Sequence, residues 1–75
     1  MKTIDTFVTL LQDEMGLPVT PENVTADLDE IPGWDSMYLI ELLVILERVT
    51  GKQVSLPHMI EARSLREIFD LADAA

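Results

Sequence analysis

An all-α architecture is expected of this sequence: a small four-helix bundle with three main helices and a short third helix. Three features lead there. Apolar residues recur at helical spacing in three separate segments. Residues that start and stop helices bracket those segments. No stretch alternates apolar with polar residues as a half-buried strand would. Seventy-five residues suit one domain, expected to span 1–75, near the lower end of sizes that fold alone.

The first helix is expected over about Lys2 to Met15, where Ile4, Phe7, Val8, Leu11 and Met15 share one face. Gly16 and then Pro18 stop it. Leu17 to Asp35 carries three prolines, a glycine and scattered polar residues without a sustained period. It reads as a long loop with one short turn at Pro21–Val24, pinned to the core by Leu28, Ile31 and Trp34. A loop this long in a compact domain is often functional. The strongest helix follows, Ser36 to Thr50, SMYLIELLVILERVT, closed by Gly51. Val54 leads into a short helix over Pro57–Arg63, with proline at its favoured first position. The stretch SLRE at 64–67 is a capping box, and the helix it opens buries Leu65, Ile68, Phe69 and Ala72.

Charge is unevenly placed. Residues 1–47 hold ten carboxylates and one base, Lys2, whereas residues 48–75 balance four acids with four bases. An acidic half repels nucleic acid and anionic membranes and steers basic protein surfaces toward it. Neither is expected as a partner. The chain has no cysteine, so it offers no disulfide, no thiolate metal site and no cysteine nucleophile. That suits a reducing compartment, and a cytoplasmic location is expected. The N-terminal stretch has acids among its apolar residues and no continuous apolar run, unlike a signal peptide or a membrane span.

The central helix is more apolar than a small bundle needs. At about 100° per residue, Leu39, Leu42, Leu43, Leu46 and Val49 form the expected core stripe. Met37, Ile40 and Val44 lie on the other side with Glu41 and Arg48, while Tyr38 and Ile45 fall between. A helix apolar all round is normally surrounded by protein, which a bundle of this size cannot supply. Met37, Ile40 and Val44 are therefore expected to form an exposed strip edged by Glu41, Glu47 and loop acids. Three uses compete for it: cover by the long loop, a homodimer seam, or a partner's docking site.

Catalytic chemistry finds little support. His58 is the only histidine and stands beside Pro57. A calcium loop begun at Asp27 would place Ile31, Pro32 and Tyr38 at its fifth, sixth and twelfth positions. Begun at Asp29, it would place Ile31 at its third. No glycine-rich phosphate cradle exists, and GWDSMY lacks the second glycine of a hydrolase elbow. No metal ligands and no catalytic residues are assigned. Ser36 remains: it ends an acidic loop, opens the dominant helix and abuts the apolar strip. Asp35 or Ser36 would each cap a helix well, and a covalent phosphate at a helix start is electrostatically favoured.

These features together resemble the acyl carrier and peptidyl carrier protein family. The likeness runs over essentially the whole chain: an amphipathic first helix, a long acidic loop, GWDSM followed by IELLVILE, a short third helix, and a last helix opened by SLRE. Met37 stands where leucine is usual, Arg48 interrupts the run of acids, and Tyr38, Leu39 and Ile40 are bulkier than the family's common residues. The resemblance implies an acyl-carrier-protein-like fold and a protein that catalyses nothing itself. It implies that a phosphopantetheinyl transferase, drawing on coenzyme A, attaches 4′-phosphopantetheine to Ser36. The arm's thiol would hold an acyl or aminoacyl thioester, supplied by an adenylating enzyme or an acyltransferase and passed to a ketosynthase or acyltransferase. Partners would dock on Asp35, Met37, Ile40, Glu41, Val44 and Glu47. A free-standing carrier of polyketide, nonribosomal peptide or related specialised biosynthesis is expected, with a short cargo. The alternative is a small acidic adaptor that binds a partner through the strip and uses Ser36 only as a cap.

Overall fold

The computed structural model describes residues 3–74. Helix α1 runs Ile4–Met15. Thr3 has extended backbone and its hydroxyl accepts the Thr6 N–H at 3.2 Å, so the helix starts at Ile4. Lys2, the expected start, lies outside the described residues. Phe7, Val8 and Leu11 are buried, with Ile4 and Met15 half-buried beside them. Gly16 ends the helix in the left-handed conformation, φ 64°, and its N–H donates to the Gln12 carbonyl.

The long loop is more ordered than the expected single turn. It contains two 3-10 turns, Pro21–Thr25 and Leu28–Glu30. Leu28 and Ile31 are buried and Trp34 packs against the core, as expected; Leu17, Val19 and Val24 are buried too. Two hydrogen bonds fasten this stretch to distant parts of the chain. The Gln12 amide nitrogen donates to the Val19 carbonyl at 2.7 Å, and the Leu28 N–H donates to the Arg63 carbonyl at 2.8 Å.

Helix α2 is Ser36–Thr50, with the expected bounds, and Gly51 follows at φ 70°. Leu42 and Leu46 are fully buried, while Leu39 and Leu43 are half-buried against the core. Val49 departs from the expected stripe: it is 41% exposed. At the end of the bundle it faces a shallow depression whose opposite wall is Ala72 and Asp73 of the last helix. Alanine there is too short to cover a valine.

Helix α3 is Leu56–Glu61, one residue earlier at its start than expected and two shorter at its end. Ser55 caps it, and at Ala62 the backbone returns to an extended conformation. Met59 is its fully buried anchor. Helix α4, Leu65–Ala74, packs Leu65, Ile68, Phe69 and Ala72 inward, with Phe69 tilted on Phe7 at 5.4 Å between ring centroids. The Ser64 hydroxyl accepts the Glu67 N–H at 3.2 Å, as a capping box requires. The return arm differs from that motif, because the Glu67 carboxylate takes the Arg63 N–H, at 3.0 Å. Among the described residues there is no strand, and no helix is long and apolar enough to cross a membrane.

Candidate functional site at the start of the second helix

The junction between the long loop and α2 is built by a tight turn. The Trp34 N–H donates to the Ile31 carbonyl at 3.1 Å, enclosing Pro32 and Gly33. Proline fixes the φ of the first central position, and Gly33 at φ 79° meets the second position's need for a left-handed residue. Trp34 leaves the turn half-buried and stacks on Tyr38, with ring centroids 6.0 Å apart and 15° between planes. The two stand four positions apart and so bracket Asp35, Ser36 and Met37.

Asp35 is the helix cap. Its backbone is extended, and its Oδ1 accepts both the Met37 N–H at 3.0 Å and the Tyr38 N–H at 3.1 Å. Sequence left the cap open between Asp35 and Ser36; geometry gives it to Asp35. Ser36 is the first helical residue and is exposed. Among the described residues its hydroxyl takes no part in capping. It stands at the positive end of a 15-residue helix dipole, where an anion is favoured.

Beyond Ser36 the apolar strip lies open. Met37 is 68%, Ile40 49% and Val44 60% exposed, so the long loop does not cover them. Asp35 and Glu41 are exposed beside the strip, and with Met15, Met37 and Tyr38 they line a shallow hollow of about 310 Å³. Glu47 is half-buried, and its Oε2 accepts the Val54 N–H at 3.1 Å. Arg48, which breaks the run of acids in the sequence, pairs with Glu14 of α1 at 3.0 Å. Its charge is thus partly answered on the α1 side of the helix. On the α3 side an open cleft of about 420 Å³ has apolar walls from Trp34, Leu39 and Ile60 and a charged rim of Asp27, Asp29 and Arg63.

The sequence matches the family model described as a phosphopantetheine attachment site over residues 5–72. The chain belongs to that family. No curated protein and no solved structure matched it. A phosphopantetheine carrier is a non-catalytic domain, and its cofactor is covalent 4′-phosphopantetheine. This sets aside the adaptor alternative, whose capping role for Ser36 Asp35 already fills. The residues at the junction fit the prosthetic group. A phosphodiester link needs an exposed hydroxyl, which Ser36 has, and a helix start stabilises its negative charge. When bound, the arm supplies the thiol that a chain without cysteine lacks.

Two exposed apolar residues of α3, Leu56 and Ile60, escaped the sequence reading. Ile60 of α3 is 64% exposed on the cleft wall, with Trp34 and Leu39. No periodic signal marks it, because a helix of six residues is too short to show which of Met59 and Ile60 turns inward.

Proposed function

We propose that Ser36 Oγ is the attachment point of the phosphopantetheine arm and that the carrier serves polyketide, nonribosomal peptide or related specialised biosynthesis. The observation that carries the site is the division of labour at the junction: Asp35 holds the helix start and leaves the neighbouring hydroxyl exposed and uncommitted. In the modification step Ser36 Oγ bonds to the β-phosphorus of coenzyme A as the bond to 3′,5′-ADP breaks. The hydroxyl proton passes to a base at the transferase site.

Docking of the transferase, of the loading adenylating enzyme or acyltransferase, and of the accepting ketosynthase or acyltransferase is assigned to Met37, Ile40 and Val44. Asp35 and Glu41 supply the flanking charge. Glu47 keeps its charge while its Oε2 accepts the Val54 N–H, and adds to that border. A desolvated apolar centre with a charged border is the ordinary anatomy of such contacts. The cargo is a short acyl or aminoacyl group. In support, the fully buried side chains of Leu42, Leu46 and Met59 occupy the interior beneath α2, and the recess beside it is an open cleft with a charged rim. The same proposal puts the carrier in the cytoplasm, with its coenzyme A donor.

Incubation with coenzyme A and a broad-specificity phosphopantetheinyl transferase, followed by intact-mass measurement, tests the site. The native chain should gain one phosphopantetheine and Ser36→Ala none. A native chain that gains no mass, or a Ser36→Ala chain that does, overturns the assignment.

A further inference from the structure

The three methionines within the described residues differ sharply in environment. Met59 is fully buried, Met15 is half-buried against the core, and Met37 is 68% exposed. Met37 directly follows Ser36 and forms one end of the open strip with Ile40 and Val44. The chain has no cysteine to consume an oxidant first. We propose that Met37 is an oxidation site, at which a peroxide converts the thioether to a sulfoxide and thereby slows modification of the adjacent Ser36. This rests on the assignment of Ser36 as attachment point and of the strip as the transferase's docking face.

The chemistry is a two-electron transfer. The methionine sulfur attacks one peroxide oxygen, an S–O bond forms and the O–O bond breaks. The departing hydroxide takes up a proton and leaves as water; sulfur is oxidised and the peroxide reduced. The product replaces an adaptable apolar side chain with a polar, chiral one. Docking must then strip water from a sulfoxide dipole that has no partner prepared for it, and a buried polar group without a hydrogen bond is costly. The helix itself is spared. The Met37 N–H is held by Asp35 Oδ1 at 3.0 Å, and the side chain points away from the core, so oxidation alters the surface and leaves the fold in place.

The experiment treats the full, unmodified chain with hydrogen peroxide. Peptide mapping follows oxygen at each methionine, and a phosphopantetheinyl transferase with coenzyme A then reads the rate of mass gain. Mapping is needed because Met1 can also take up oxygen. The expected order of oxidation is Met37 before Met15, with Met59 unreacted while the chain is folded. The oxidised chain should be modified about tenfold more slowly, the order expected for desolvating one extra dipole. Its far-UV circular dichroism should be unchanged, and methionine sulfoxide reductase should restore the rate. In Met37→Leu the ratio of treated to untreated rates should be near one. Oxidation of Met15 or Met59 as fast as Met37, equal rates for oxidised and native chains, or loss of helicity on oxidation overturns this inference alone. No mass gain on the untreated chain overturns the Ser36 assignment, and this inference with it.

Discussion

Substitution of Asp35 separates its capping of α2 from the docking role proposed for its charge. Its Oδ1 accepts two first-turn N–H groups, at 3.0 and 3.1 Å, on an exposed surface. Replacing a good N-cap by alanine costs roughly 0.5–2 kcal/mol. A carboxylate at an exposed helix start adds about 0.3–1 kcal/mol through the dipole, toward the low end where water screens it. Because the two overlap, Asp35→Ala should cost about 1–2 kcal/mol. Asparagine keeps an oxygen in place and caps about as well, so Asp35→Asn should cost only a few tenths of that scale. In a domain of this size 1 kcal/mol moves Tm by about 4–8 °C. Urea titrations followed by circular dichroism and by the single tryptophan, Trp34, give both values from the midpoint shift at constant slope. The transferase assay then reads the second job: Asp35→Asn should fold well yet be modified more slowly, having lost the charge. An Asp35→Ala chain within about 0.3 kcal/mol of native stability, well below the range for cap loss, would refute the capping account.

Other substitutions probe the strip and the remaining joints. Ile40→Asp or Glu41→Lys should weaken transfer to partner enzymes while circular dichroism stays helical; unchanged transfer in both would move the docking face elsewhere. Ser64→Ala should cost about 1 kcal/mol by loss of the α4 cap, with Ser36 modification intact. If that variant kept its fold but lost modification, Ser64 would have a role beyond capping. Gly33→Ala should destabilise by about 1 kcal/mol, since a Cβ there meets nothing closer than Tyr38 at 3.9 Å and the penalty is that of a positive φ alone. A neutral result in a thermal melt would mean the turn can change type without loss.

Helix α2 was legible to the residue because its signals are local: Asp35 before it, Gly51 after it, and apolar spacing between. The buried loop residues Leu17, Val19 and Val24 were not legible as core. In irregular chain they are placed singly, and no period reveals which way a lone apolar side chain turns. The exposure of Met37, Ile40 and Val44 followed from counting how little protein is available to cover a helix apolar all round. The choice between Asp35 and Ser36 as cap needed backbone angles, since both residue types suit the position. The exposure of Val49 and the bond between Glu47 and Val54 were not legible, for a tertiary reason. What lies opposite each side chain, the hollow shared with Ala72 or the Val54 N–H, belongs to another part of the chain.

The bond from the Leu28 N–H to the Arg63 carbonyl also fixes an order of events. Helix α3, just before Arg63, has only six residues and cannot persist by itself, so this fastening of the loop, unlike the nearby bond from Gln12 to Val19, waits until α3 and α4 have docked. Joining such remote positions is a late, entropy-limited step of folding. On a growing chain the loop and the Ser36 turn emerge well before the carbonyl that secures them. The Asp35 cap and the turn before it are made of local bonds, but the loop that leads into them gains its far anchor only after Arg63 has left the ribosome.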